Sequence, residues 1–267
     1  MVGVAPGRNT QTERRRLQIG PVSVAYQVAG AGEPIVLIHG LSGSGRWWSR
    51  NIPALAARFQ VHVLDLIGFG GSRGRQAFVL AEAAAYVLAW MDQLGLHRAS
   101  LVGHSMGGFI AADLAAGFPE RVCRLVLVDA AALPFDSSHL RRPRGLVQAM
   151  RGLPLTFWPV LATDALRAGP ITIARAAREL LRTDLTSRLT HITTPTLIVW
   201  GRHDTIVPPT VGEQLSRSLP HARLALIDNA GHNPMWDQPD VFNHVVTDFL
   251  AGDQGSRLDR LGSAADD

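Results

Sequence analysis

Gly103-His104-Ser105-Met106-Gly107 decides the reading of this chain. The G-x-S-x-G stretch follows an apolar run, Ala99-Ser100-Leu101-Val102. It precedes a small-residue segment, Gly108-Phe109-Ile110-Ala111-Ala112, that reads as the start of a helix. A serine on a tight strand-to-helix turn is held strained and exposed. Glycines at 103 and 107 remove side chains that would clash where strand and helix cross. The hydroxyl then stands at a sheet edge with helix N-terminal amides beside it. Alone the pattern is weak, arising by chance in roughly one chain of this length in ten. Two residues later in the chain give it weight. Asp204 comes just past a second apolar run, Thr196-Leu197-Ile198-Val199-Trp200, and His232 just past a third, Arg223-Leu224-Ala225-Leu226-Ile227. Nucleophile, acid and base in that order, each after a predicted strand, is a Ser-His-Asp triad on an α/β sheet.

Each position has rivals. Asp129 ends the apolar run 124–128 and Asp228 ends 223–227, so either could supply the acid; both also read as residues capping turns. Among the histidines, His39 and His104 have local explanations, His203 fits a loop, and His62 lies on a core strand. His97, His139, His191, His221 and His244 have no supporting pattern. A free serine hydroxyl is a poor nucleophile and needs the histidine within hydrogen-bond reach, itself oriented by the acid. The reaction also needs donors for an oxyanion. One is the backbone amide of Met106, directly after the nucleophile. The other is expected from the loop His39-Gly40-Leu41-Ser42-Gly43, with Leu41 as first choice and Ser42 as fallback. No G-x-x-x-x-G-K-[ST] or G-x-G-x-x-G comes after that loop, which argues against a nucleotide site.

Further out, strands are expected at 16–19, 22–29, 35–38, 61–64, 99–102, 124–128, 196–200 and 223–227. The inner runs are continuously apolar, as in parallel strands covered on both faces. Helices are expected near 46–58, 78–94, 105–117, 210–219 and 239–250. Alternating strands and helices give a doubly wound α/β sheet. The beat fails between 133 and 190, a proline-containing stretch with helices expected near 144–151, 158–168 and 171–182. An insertion there reads as a helical lid over the strand ends, where open α/β sheets bind ligands. The expected organisation is a first core part (1–132), the lid (133–190), a second core part (191–250) and a disordered tail (251–267).

Of the 267 residues, 46% are hydrophobic and 18% charged, which suits a substantial core and excludes a disordered chain or coiled coil. The net charge of +4 rests on 26 basic residues, all arginine. Only Arg14-Arg15-Arg16 and Arg141-Arg142-Pro143-Arg144 cluster, and both read as solvated faces rather than nucleic-acid contacts. The single cysteine, Cys123, excludes an internal disulfide and reads as a buried inert thiol. No run of 18 apolar residues marks a membrane span. After Arg14-Arg15-Arg16 the stretch is interrupted by Pro21 and Gln27, and Val22, Val24, Tyr26 and Val28 alternate like a strand rather than an export signal, so a cytoplasmic location is expected.

With these residues in view, the chain resembles the α/β-hydrolase superfamily from about 16 to 250. The resemblance is carried by Gly103 to Gly108, His39-Gly40 with Trp47 and Trp48, Asp65 to Ser72, Gly201 to Asp204 with Pro208, and Gly231 to Pro234 through Pro239 and Phe242. It implies a mostly parallel eight-stranded sheet with helices on both faces and an inserted lid. Ser105, Asp204 and His232 then correspond to the triad, and Leu41 and Met106 to the oxyanion amides. His39, Asp65 and Gly68 correspond to architectural loop residues. Ile67 departs from the proline or arginine common at that point, which touches loop shape only. Serine rather than aspartate at 105 argues against epoxide opening and dehalogenation. His104 and Leu41-Ser42 argue mildly against the carbon–carbon hydrolase branch.

The expected function is cleavage of carboxylic esters of small to medium apolar substrates through an acyl-enzyme. Trp47, Trp48, Phe69, Phe157, Trp158 and Trp236 are expected around an apolar pocket, with arginines 141, 142 and 144 at its rim. A lactonase, thioesterase, carbon–carbon hydrolase or cofactor-free peroxidase-like enzyme would use the same triad, and a non-catalytic binder would have lost part of it. The expected partner is a small-molecule ester, with no nucleic acid, membrane, metal or organic cofactor.

Overall fold

The computed structural model describes residues 12–72, 76–138, 144 and 152–252. Eight strands form one sheet: β1 (Glu13–Ile19), β2 (Val22–Ala29), β3 (Pro34–Ile38), β4 (Gln60–Leu64), β5 (Ala99–His104), β6 (Val122–Val128), β7 (Thr196–Gly201) and β8 (Ala222–Ile227). Their spatial order is β1-β2-β4-β3-β5-β6-β7-β8. β2 pairs antiparallel with both neighbours, and every pairing from β4 to β8 is parallel. The strands fall within about three residues of their expected bounds.

Strand alternation explains why the inner runs are apolar throughout. Val36 and Ile38 of β3 enter one core with Leu101, Leu125, Leu127 and Ile198. Ile35 and Leu37 enter a second with Val102, Val126, Leu197 and Val199. Each inner strand therefore feeds two cores, one per face. The first core is covered by α2 (Leu80–Gln93), α3 (Met106–Gly117) and α7 (Pro209–Ser218), the second by α1 (Ile52–Ala56) and α9 (Pro239–Leu250).

The helix expected over 46–58 is broken. Ser44 caps a short 3-10 turn, Gly45–Trp48, and α1 restarts at Ile52 with Pro53 in its first turn. Asn51, between them, is buried, its side-chain amide donating to the Met235 carbonyl and to Asn243 at 2.9 Å each. That cross-link replaces helical continuity.

Between β6 and β7 lie α4 (Trp158–Ala168), α5 (Pro170–Leu180) and the short α6 (Thr186–Leu189), the last at a place where the sequence pattern predicts no helix. The helix expected at 144–151 falls outside the described residues apart from Arg144, as do Arg141 and Arg142. Most of the N-terminal arm and of the 251–267 tail also fall outside. Cys123 is only partly buried, because its end of β6 is less covered than the middle. No helix among the described residues is long and apolar enough to cross a membrane.

Candidate active site

Ser105 occupies the turn between β5 and α3, at φ +52° and ψ −114°. This strained backbone is pinned from several sides. The Ser105 N–H donates to the Val128 carbonyl (2.9 Å), and its carbonyl accepts from Phe109 (3.1 Å) and Ala131 (3.2 Å). The flanking glycines are steric requirements. A Cβ on Gly103 would lie 2.3 Å from the Gly107 carbonyl oxygen, and one on Gly107 2.3 Å from that of Ile38. Backbone atoms on both sides leave no room for a methyl group.

His232, in the loop after β8, reaches the serine. Its Nε2 lies 3.1 Å from Ser105 Oγ, and its Nδ1 2.7 Å from Asp204 Oδ2. Asp204 is fixed in turn, its Oδ1 accepting the N–H groups of Ile206 (2.7 Å) and Val207 (3.1 Å). The network assigns the imidazole proton to Nδ1, so Nε2 accepts from the serine hydroxyl. Three side chains distant in sequence thus meet at the carboxyl ends of β5, β7 and β8.

The rival acid also arrives here. Asp129 follows β6, is fully buried, and its Oδ1 accepts the Gly201 N–H at 3.0 Å. One oxygen each from Asp129 and Asp204 and a ring nitrogen of His232 lie within 4.8 Å of one another. Burial and then the nearby Asp204 charge push the Asp129 carboxyl well above the usual carboxylate range. Asp129 thus stands behind Asp204 rather than on the histidine. Asp228, the other rival, is at the surface paired with Arg202.

His104 has a role its sequence position hid. Its Nε2 lies 2.7 Å from the His232 carbonyl, and its ring packs tilted against that of His232, with centroids 4.9 Å apart. Burial holds the imidazole neutral, so Nε2–H donates and anchors the loop that carries His232. His39 is likewise buried and held neutral by burial. Its Nδ1–H donates to the Gly40 carbonyl at 2.8 Å, and its Nε2 accepts the Leu66 N–H at 3.0 Å. That ties the loop after β3 to the loop after β4.

The amides of Leu41 and Met106 have no hydrogen-bond partner among the described residues. Both residues flank the serine region: Met106 opens α3, and Leu41 lines the same cavity as Ser105. Ser42, the fallback donor, takes φ +62° in the same turn.

The cavity beside Ser105 and His232 holds about 250 Å³ and is mostly apolar. Trp47 and Phe157 line it, with ring centroids 5.1 Å apart. The other aromatic expectations are corrected. Trp48 is fully buried in the core against Phe242. Trp236 packs behind Phe157 at 5.0 Å, its Nε1–H donating to Thr156 Oγ1 and Arg50 lying over its ring. Trp158 starts α4 one position past Phe157, so helical rotation turns it off the face that Phe157 and Leu161 share. Phe69 packs on His39 and Phe78, away from the cavity. Aliphatic residues complete the walls, among them Leu153, Leu161, Ala177, Leu180 and Leu181. The 177/180/181 spacing on α5 is the signal that would have found them.

Comparison with known proteins agrees with this fold. A model of the Alpha/beta hydrolase family matches residues 35–245. The chain is 30% identical over 257 residues to "Putative carbamate hydrolase RutD" of Stutzerimonas stutzeri (strain A1501), covering 85% of this chain and 96% of that one. It is 32% identical over 258 residues to the 2-hydroxy-6-oxo-6-phenylhexa-2,4-dienoate hydrolase of Burkholderia cepacia, covering 84% and 89%. A thermophilic esterase from Thermogutta terrifontis superposes with a TM-score of 0.77 at 27% identity, covering 90% of this chain and 98% of that one.

Proposed function

The chain belongs to the alpha/beta hydrolase family, and within it we propose a serine hydrolase that cleaves carboxylic esters of small to medium apolar substrates in the cytoplasm. The observation that carries the reading is His232 bridging Ser105 and Asp204 at an apolar cavity. Ser105 Oγ attacks the acyl carbon while His232 Nε2 takes its proton. Asp204 holds the imidazole in register and stabilises its charged form. The Leu41 and Met106 amides receive the tetrahedral oxyanion; losing one such donor costs about 3–4 kcal/mol of transition-state stabilisation. His232 then protonates the leaving alcohol and activates the water that releases the acid. The helices between β6 and β7 act as a lid that supplies the acyl-binding wall.

Carbon–carbon hydrolysis is the second reading, supported by the similarity to the Burkholderia cepacia dienoate hydrolase. A dienoate carries a carboxylate, and no arginine lines the cavity among the described residues, which favours the neutral ester. Lactones, thioesters and carbamates would meet the same triad, so they belong in the assay panel.

The test is hydrolysis of p-nitrophenyl esters from acetate to dodecanoate by the wild type and Ser105→Ala. Turnover is expected to fall by up to about 10⁶-fold in the variant, with an unchanged circular-dichroism spectrum. Full turnover by the folded variant would sink the proposal. Wild-type activity on a ring-fission dienoate and on no ester would move it to the second reading.

A further inference from the structure

At the opposite side of the loop after β3 lies a second and larger cavity, of about 500 Å³, walled by arginine. Leu41, Ser42 and Trp47 face the catalytic cavity, whereas Ser44 and Arg46 of the same loop face this one. β1 and β2 supply the far wall, with Arg14 and Arg16 on one face of β1 opposite Gln27 and Ala25. Arg167 of α4 supplies another. The run Arg14-Arg15-Arg16, which reads from sequence as a solvated face, is therefore one side of a concave site.

The nearby acids are already engaged. Asp65 accepts the N–H groups of Gly45 (2.6 Å) and Gly71 (2.7 Å) through its two oxygens. Glu13 pairs with Arg15. Asp164, fully buried, accepts from Ser44 Oγ at 2.8 Å and faces Arg46 at 3.6 Å. Arg16 reaches only Ser23 Oγ, at 3.3 Å. Arg14, Arg167 and the Gln27 side-chain amide have no partner among the described residues. Three guanidinium groups not paired with an acid thus surround a space within the 300–1,000 Å³ range typical of small-molecule sites, with Asp65 as the one carboxylate in its described lining.

We propose that this cavity is a binding site for a phosphate-bearing small molecule, a diphosphate or phosphate monoester, held by Arg14, Arg16 and Arg167. The planar guanidinium fork matches phosphate oxygens two at a time, and several forks around one cavity favour a multivalent anion over a single carboxylate. The Gln27 amide offers a neutral donor beside them. The proposal does not rest on ester cleavage: the two cavities share no lining residue among those described, and the test reads binding alone.

The experiment is isothermal titration of the full chain with inorganic pyrophosphate at low ionic strength. Three variants accompany it: Arg14→Ala, Arg167→Ala, and Arg217→Ala on α7 near the opposite edge of the sheet. Saturable one-to-one binding is expected, weakened tenfold or more by Arg14→Ala and by Arg167→Ala and changed less than twofold by Arg217→Ala. Unliganded melting temperatures check that the variants fold, and Arg16→Gln replaces either one that does not. Absence of saturable binding, or equal weakening by all the variants, would overturn the site in favour of diffuse attraction to a basic surface. Retention on phosphatidylglycerol vesicles through the same arginines, without pyrophosphate binding, would also overturn it.

Discussion

The loops at the carboxyl ends of the strands and the helices between β6 and β7 wall the same cavity beside Ser105 under opposite constraints. All non-glycine residues with positive φ among the described residues, Ser42, Ser105, Asp129 and Asn229, lie in loops that follow β3, β5, β6 and β8. Buried polar atoms without partners lie at the same end of the sheet, on His104 at the end of β5 and on Asp129 and Asn233 in the loops, with a further one on Asp164 of α4. Among the described residues, α4, α5 and α6 hold none of these positions; their region instead exposes Leu155 (86%), in the turn before α4, with Leu166 (84%) and Ile171 (75%). Strain and buried polarity persist only where surrounding structure over-determines them, and they collect where chemistry is done. On the proposed function, chemistry resides in the tightly held loops, and the shape of the substrate in the looser helices.

The largest effect should separate the two buried acids. Asp204→Asn keeps the shape but presents an amide to His232 Nδ1, disturbing the tautomer that Ser105 needs. Ester turnover should fall about 10⁴-fold. Asp129→Asn should change it less than about threefold. An asparagine there can still accept the Gly201 N–H through its carbonyl oxygen and places no charge beside Asp204. Steady-state kinetics on one ester decides; a comparable loss in both variants would break the division of labour between the acids.

Next comes the rigidity of the elbow. Gly107→Ala pushes a methyl group against the Ile38 and His39 carbonyl oxygens, at 2.3 and 2.6 Å. Backbone can yield only by moving β3 or α3, so urea unfolding should show a loss of about 3 kcal/mol or more. Leu155→Ser, in the looser region, should stay within about 0.5 kcal/mol. Similar losses at the two positions would erase the contrast in rigidity.

The same contrast explains what could be read from sequence. The sheet was legible because each inner strand must fill two cores, which leaves long apolar runs. The serine turn was legible because a close backbone crossing admits only glycine at 103 and 107. His104 was not, since its partner is a main-chain carbonyl 128 residues away. The pocket walls were only partly legible. Trp47 and Phe157 line the cavity while Trp48, Trp158 and Trp236 do not, and an aromatic count carries no information about which side of a turn or helix faces the cavity. The broken helix at 46–58 depended on Asn51 bonding to Met235 and Asn243, contacts made only after folding.

A smaller effect should come from the helices. Ala177 of α5 lines the cavity, and Ala177→Trp would occupy space that a longer acyl chain needs. Specificity for the longest accepted p-nitrophenyl ester should drop about tenfold in kcat/KM, equivalent to about 1.4 kcal/mol. Acetate should change no more than about twofold. Equal losses for short and long esters would mean that α5 supports the triad rather than sizing the substrate.

The smallest effect asks whether the catalytic loops carry a stability cost that can be relieved without touching the triad. Asp237, in the short helix α8 (Pro234–Asp237), accepts the Gly231 N–H at 2.8 Å, just before the base. Burial pushes its carboxyl up to about 6, although that N–H and His232 pull the other way. The native state therefore binds this proton more tightly than the unfolded chain, whose value is near 4. The resulting stabilisation is present below about pH 4 and is lost as pH rises through 6. Asp237→Asn can still accept the Gly231 N–H through its carbonyl oxygen and never ionises. Urea midpoints should coincide for the two proteins near pH 4. At pH 8 the variant should be more stable, by about 1 kcal/mol once the partial exposure of the site is discounted. A variant less stable at pH 8 would show that the ionised Asp237 supports the histidine loop, and the cost of holding the base would then lie in the strained backbone rather than in this buried charge.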